Sequence, residues 1–341
     1  MVTVANVAQR AGVSSATAAR VLSGRGYASE AARRAVLEAA KEIGYVPNHI
    51  ARSLRTRRTM LAGLLIGDVE NSFYSVIAKN VESVAKDAGY QVVLCNSNDD
   101  PETEKQYLQL LDGVRVDGLI ITPTGSNQRH LRRLIEKGTV IVQIDRMVEG
   151  LNADAVLLDN EAGAMIAVSH LISAGHTRIG ILTGPWEVLT ARERLKGYER
   201  ALREHGIPVR EELIRAGSFL HEHAIEAATE LLRSSPPPTA IFAANNVLAE
   251  GCFLALNDLS LKVPKDVSLV AFDDVPWMSM VRPQVTAVRQ PIADMARSAA
   301  ELLLRRLRDS KPVPSTSVFR SELVVRGSVA PIRKSGTEPA S

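Results

Sequence analysis

From residue 61 onward, short apolar runs alternate with segments of helical periodicity, and this alternation limits the possible folds more than any single residue does. Leu61-Ala62-Gly63-Leu64-Leu65-Ile66-Gly67 is too short for a core helix and too uniformly apolar for a half-solvated strand. It reads as a strand buried on both faces. Residues 73–88 follow at helical spacing and are closed by Gly89. Strands at 91–95, 118–122 and 140–144 then alternate with helices at 101–111 and after Asn127. Asp100-Pro101-Glu102 gives the first of these helices an N-cap, a first-turn proline and an acidic start. Such a series builds βαβ units, because parallel strands need long crossovers.

The pattern restarts at 155–159, with helices at 160–174, 191–205, 221–233 and 247–256 and strands at 179–182, 213–216, 240–243 and 267–271. The expected body is α/β, with two doubly wound parallel-sheet lobes. Lobe 1 takes about 60–145 and 291–316, and lobe 2 about 155–287 and 318–327. A crossover near 287–290 leads into a helix at 291–307, and a last strand falls at 322–326. Residues 328–341, rich in Ser, Pro and charge, are expected to be a disordered tail.

The N-terminal segment has a different pattern. Val4, Val7, Ala8 and Ala11 fall at helical spacing behind Thr3 as N-cap, and Gly12 stops that helix. Ser14 can cap a second helix at 15–22, and Ser29 a third with Ala32, Val36, Ala39, Ala40 and Ile43 on one face. Helix, tight turn, helix is the arrangement that places a second helix in the DNA major groove, and residues 1–47 are read as such a domain. Residues 1–59 hold ten Lys/Arg against three Asp/Glu, which leaves a net charge of −4 on the remainder of a chain whose total is +3. A basic head on an acidic body points to a polyanion as partner of the head, although a solvated basic face would look the same. Residues 48–59 form a hinge and linker. Asn48-His49-Ile50-Ala51-Arg52-Ser53-Leu54-Arg55 has helical character but spans only about two turns, marginal in water without a partner.

Thr3-Val4-Ala5-Asn6-Val7-Ala8-Gln9-Arg10-Ala11-Gly12-Val13-Ser14 and Thr17-Ala18-Ala19-Arg20-Val21-Leu22-Ser23-Gly24 resemble the N-terminus of the lactose-repressor (LacI/GalR) family. So do Gly44-Tyr45-Val46-Pro47-Asn48 and Ala51-Arg52-Ser53-Leu54-Arg55, and the resemblance extends to about residue 327. Asn6 stands where many members have Asp, and Ala18-Ala19 where Val-Ser is usual. The resemblance implies a periplasmic-binding-protein-like (type I) body and base reading by Ser15, Ala16 and Arg20. Arg20 suits a bidentate contact to guanine, or else a phosphate contact or surface salt bridge. Thr3, Ser14, Thr17, Ser23, Asn48 and His49 are candidate phosphate partners. It also implies a hinge helix, Ala51 to Arg55, that pairs with the hinge of a second subunit. Leu54 then wedges into the minor groove of a palindromic operator, with Ala51 and Ser53 allowing close approach and Arg52 and Arg55 flanking it. Packing of Leu54 within its own subunit is the alternative.

The same resemblance points to strand-end residues as effector ligands: Asn71, Phe73, Tyr74, Thr122 and Asp145 on one lobe, and Arg192, Arg194, Phe219, Asn245 and Asp273 on the other. Arg194-Leu195-Lys196-Gly197-Tyr198 and Phe272-Asp273-Asp274 match family motifs, while Asn246 replaces the usual Asp of the Ala-Asn-Asp run. Carboxylates, amides and rigid arginines suit vicinal hydroxyls, so a sugar is expected. Asp273 and Asn245 could instead cap helices or turns, Arg194 could pair with Glu193 or Glu199, and Phe73 could be core.

Walker, GxGxxG and GxSxG motifs and zinc-spaced Cys/His sets are missing from the sequence, so no enzyme, cofactor or metal is expected. Cys95 and Cys252 lie in separate apolar runs and are expected as reduced thiols. No apolar run approaches the roughly 18 residues of a membrane span, and a cytoplasmic homodimer is expected. The expected activity is a ligand-switched, sequence-specific transcriptional regulator, a repressor. The alternatives are a purine- or other metabolite-responsive regulator acting by corepression and a sugar-binding receptor without regulatory role.

Overall fold

The computed structural model describes residues 2–23, 26–45, 58–219, 221–308 and 313–332. The chain divides into two units, Met1–Thr59 and Met60–Ser341.

The first unit holds helices α1 (Val4–Arg10), α2 (Ser15–Ser23) and α3 (Glu30–Glu42). Thr3 and Asn6 close a reciprocal capping box on α1: the Thr3 amide donates to Asn6 Oδ1 at 2.9 Å, and Thr3 Oγ1 accepts from the Asn6 amide. Asparagine therefore serves here in place of the family's aspartate. Gly12, at φ +66°, makes the turn into α2. Val7, Ala8, Ala18, Val21, Val36, Ala39 and Ala40 form the small core.

The second unit contains two six-stranded sheets. Its elements are β1 (Leu61–Ile66), α4 (Ser72–Asp87), β2 (Gln91–Asn96), α5 (Pro101–Val114), β3 (Gly118–Ile121), α6 (Gln128–Glu136), β4 (Val140–Ile144), β5 (Asp154–Leu158), α7 (Asn160–Ser173), β6 (Ile179–Thr183), α8 (Leu189–Glu204), β7 (Ile214–Ala216), α9 (His221–Leu232), β8 (Ala240–Ala243), α10 (Asn246–Asp258), β9 (Ser268–Phe272), α11 (Trp277–Met280), β10 (Thr286–Arg289), α12 (Ile292–Arg308), β11 (Thr316–Phe319) and β12 (Glu322–Val324). The first sheet runs β11-β5-β4-β3-β1-β2, all parallel. The second runs β12-β10-β9-β8-β6-β7, parallel except for β12 against β10.

β1 shows why the first sheet is apolar on both faces. Leu64 and Ile66 enter one core with α4 and α12, while Leu65 enters another with Leu108 and Leu111 of α5 and Leu131 of α6. In the second lobe α7 packs on α8 with little space between backbones: a Cβ on Gly197 would lie 2.3 Å from Glu161 O. Cys95 and Cys252 are free and buried, and burial pushes the Cys95 thiol up to about 11 and that of Cys252 up to about 12.

Three expectations are corrected. The strand at 154–158 pairs with β4 and belongs to the first lobe, not the second. Periodicity reveals that a strand exists but not which sheet receives it. The supposed crossover at 287–290 is largely strand β10, and β11 adds a first-lobe strand that the sequence pattern did not reveal. The chain therefore passes between lobes after β5, after β10 and between β11 and β12. Finally, the tail is ordered up to residue 332: Ser328 is fully buried, its Oγ donates to Leu269 O and accepts from the Thr286 amide, and the Ile332 amide bonds Ala174 O. Residues 333–341 lie outside the described residues.

Candidate ligand cavity and DNA-reading surface

Residues beyond the carboxyl ends of the strands of both lobes enclose a cavity of about 460 Å³, open mouth included. It lies at the place where doubly wound sheets bind ligands. Asn71, Phe73, Tyr74 and Asp145 line it from the first lobe, and Arg194, Phe219, Asn245 and Asp273 from the second.

Thr122 and Arg192 are not brought into it. Thr122 is fully buried at the end of β3. Arg192 Nη1 donates to Trp186 O at 3.1 Å and to Glu187 O at 3.0 Å. Two residues along a helix turn a side chain about 200°, so Arg192 and Arg194 leave α8 on opposite sides.

Six further lining residues were not singled out in the sequence: Asp68, Asp99, Arg146, Thr190, Val247 and Gln290. Arg146 carried a signal, because a charged residue directly after Asp145 at the end of a buried strand needs a partner. It finds several. Arg146 Nη1 and Nη2 reach Asp99 at 2.8 and 3.1 Å, and Nη2 donates to Tyr74 Oη at 3.3 Å.

Asp145 and Asp273 occupy equivalent places. Each follows a strand, β4 or β9, at positive φ (69° and 72°), and each amide donates back across its sheet at 2.9 Å, to Val156 O and Val288 O. Left-handed backbone in a non-glycine residue is costly and tends to collect at functional sites. Burial pushes Asp145 up to about 6, against the opposing pull of Arg146 and Arg194, while Asp273 and Asp99 add to the rise. The same burial raises Tyr74 well above the usual phenol range, although Arg146 opposes it. Desolvation disfavours the Arg146 charge, but Tyr74, Asp99 and Asp145 outweigh it and its pKa rises.

The second lobe supplies pre-set donors and acceptors. Arg194 pairs with neither Glu193 nor Glu199: Nε donates to Asn160 Oδ1 at 2.9 Å, Nη1 donates to Ala244 O at 2.7 Å, and the guanidinium lies 3.8 Å over the Phe272 ring. Asn245 both caps α10, accepting from the Leu248 amide at 2.7 Å, and lines the cavity. Asp273 Oδ1 accepts from Gln290 Nε2, and Gln290 Oε1 is buried without a hydrogen-bond partner among the described residues. Phe73 is core and wall at once, packed edge-on to Tyr74 at 5.1 Å. Phe219 packs over Gly184, where a Cβ would lie 2.1 Å from its ring.

In the head, Ser15, Ala16 and Arg20 are exposed along α2. Ser14 caps α2, accepting from the Thr17 amide at 3.1 Å, and its Oγ lies 2.9 Å from Thr17 Oγ1. Thr3 is exposed beside α1. Asn48, His49 and the hinge residues Ala51, Arg52, Ser53, Leu54 and Arg55 lie outside the described residues, as does the Ser23 side chain.

Comparison with known proteins agrees with both units. Residues 3–48 match the family of bacterial regulatory proteins of the lacI type, and residues 168–329 match the periplasmic binding protein-like domain. The chain is 38% identical over 331 residues to the HTH-type transcriptional regulator GalR of Escherichia coli (strain K12), covering 97% of this chain and 96% of that one. It resembles the lac repressor dimer bound to operator and the anti-inducer ONPF at TM-score 0.85 and 26% identity, covering 96% of this chain and 99% of that one. The transcriptional regulator CelR in complex with cellobiose matches at TM-score 0.73 and 31% identity, over 96% of this chain and 100% of that one. No helix among the described residues is long and apolar enough to cross a membrane. A helix-turn-helix head, a two-lobed ligand-binding body and identity over nearly the whole length place this chain in the LacI/GalR family of bacterial transcriptional regulators.

Proposed function

We propose that the effector of this regulator is a neutral sugar, and that its binding between the lobes controls the affinity of a homodimer for a palindromic operator. The lining of the cavity carries the reading: four aspartates, Asp68, Asp99, Asp145 and Asp273, face two arginines, Arg146 and Arg194. Excess carboxylate repels phosphates and carboxylates, and so disfavours sugar phosphates and nucleotides. Aspartate beside arginine offers acceptor and donor side by side, the pattern that adjacent hydroxyls satisfy. Phe73 and Phe219 give an apolar ring face something to rest on. Relatives solved with cellobiose and with operator DNA support the two halves of the reading.

In this reading Asp145 and Arg146 grip from the first lobe, and Arg194, Asn245 and Asp273 from the second. Ser15, Ala16 and Arg20 read bases, Thr3, Ser14, Thr17, Ser23, Asn48 and His49 hold phosphates, and Leu54 wedges the minor groove between Ala51, Arg52, Ser53 and Arg55. The regulator is a cytoplasmic repressor. Calorimetry with D-ribose, D-galactose, cellobiose, a hexose 6-phosphate and hypoxanthine tests the ligand class. Binding of a neutral sugar alone supports it; tight binding of the phosphate or the purine overturns it.

A further inference from the structure

Arg194 faces the cavity, and the residue that holds its far side lies where the chain passes between lobes. Asn160 is the first residue of α7, two positions beyond the end of β5, and is 2% exposed. Its Oδ1 accepts from Arg194 Nε at 2.9 Å. Its Nδ2 donates to Glu193 Oε2 at 2.9 Å and to Leu158 O at 3.3 Å. An arginine Nε can only donate, and a carbonyl can only accept, so the amide has one orientation. Contacts thus run without a break from the cavity, through Arg194, to the last residue of a first-lobe strand.

Arg194 has little freedom to absorb a ligand's pull on its own. Its Nη1 is held by Ala244 O and its guanidinium face by Phe272, so a displacement at the ligand side passes to Asn160. The Asn160 amide in turn spans the β5–α7 crossover, one of the three places where the chain passes between lobes. Burial adds to the leverage, since a broken hydrogen bond there leaves groups that water does not reach.

We infer that Asn160 is a positioning residue that transmits occupancy at Arg194 to the interlobe crossover, and so couples effector binding to operator affinity. The inference rests on the cavity being the effector site. Aspartate at 160 keeps the acceptor for Arg194 but loses the donors to Leu158 O and Glu193 Oε2, whereas alanine loses all three. Full-length wild type, Asn160→Asp and Asn160→Ala are compared with D-ribose, D-galactose and cellobiose as probes. Asn160→Asp is expected to bind the probe within about threefold of wild type, while the probe-induced change in operator affinity shrinks about tenfold. Asn160→Ala is expected to lose both, and its Arg194 Nε–H signal to exchange with solvent about tenfold faster. Undiminished coupling in Asn160→Asp overturns the inference. So does an Arg194 Nε–H that stays protected in an Asn160→Ala protein of wild-type melting temperature. Should none of the three sugars bind wild type, the effector reading fails separately, and the Nε–H exchange still decides whether Asn160 holds Arg194.

Discussion

Asn246, at the start of the second-lobe helix α10, donates from Nδ2 to Oδ1 of the first-lobe residue Asn71 at 3.1 Å. The accepting oxygen also caps α4 through the Phe73 amide at 3.0 Å. One hydrogen bond therefore joins the lobes at a residue that fixes Phe73 in the cavity wall. Asp is usual in the family at 246, and an aspartate there would set a carboxylate against Asn71 Oδ1. Turning the Asn71 amide to meet it would break the α4 cap.

Asn246→Asp is accordingly expected to weaken closure of the lobes. Both lobes line the cavity, so apparent sugar affinity falls with the population of the closed form. The loss expected is about 5–10-fold, the worth of one part-buried hydrogen bond of about 1 kcal/mol. Calorimetry on the purified variant measures it, and an unchanged dissociation constant would remove Asn246 from the closure mechanism.

Asp145 gives opposite pH responses for stability and for binding. Its carboxyl, facing Arg146, Arg194, Asp273, Asp99 and Tyr74, is pushed up to about 6 by burial. A folded-state value above the unfolded one means the proton is bound more tightly when folded. The stabilisation is then fully present below about pH 4 and is lost as pH rises through about 6, on the order of 3 kcal/mol in all. A sugar hydroxyl donates more strongly to the ionised carboxylate of Asp145 than to its protonated form, so sugar affinity should fall as pH drops from 7 to 5. Asp145→Asn isolates the group. The wild-type-minus-variant difference in unfolding free energy should rise toward acid, and the variant's sugar affinity should be flat over that range. A flat difference in stability would mean that Asp145 titrates normally.

Arg194→Lys keeps the charge and removes the geometry. An ammonium cannot serve Asn160 Oδ1 and Ala244 O together while stacking on Phe272, as the planar guanidinium does. Hydrogen bonds to charged groups contribute about 1.5–3 kcal/mol each, so sugar affinity should fall about 100-fold and the melting temperature by several degrees. Binding within a few fold of wild type would mean that Arg194 serves structure alone.

Strand existence was legible in the sequence because each buried strand is a continuous apolar run bounded by turn residues, as at 61–67. Strand partnership was not, because β5 and β6 look alike as runs yet join different sheets. Thr316–Phe319 escaped notice because an edge strand with two exposed side chains has no apolar run to show. Within the cavity, motif matches found Arg194, Asn245 and Asp273. Arg146, Asp99 and Gln290 come from loops and a crossover, where only tertiary contacts define the environment. Asn160 was hidden for another reason: its neighbours Leu158, Glu193 and Arg194 are brought to it by the packing of α7 on α8.

Arg20 is the residue on which the head's sequence preference should depend. It is exposed on α2, its Cδ lies 3.3 Å from where a Gly26 Cβ would be, and its Nη1 reaches Tyr27 O at only 3.4 Å. An exposed guanidinium on the second helix carries the paired donors that a guanine edge accepts. Arg20→Ala should weaken binding to the preferred operator by about 1–3 kcal/mol and flatten the preference at one base pair in each half-site. Non-specific affinity should drop far less, since phosphate contacts from the rest of the head remain. Selection from a randomised operator library by the wild type and the variant reads the outcome directly. An unchanged preferred sequence with uniformly weaker binding would reassign Arg20 to the phosphate backbone, and base reading would then rest on Ser15 and Ala16.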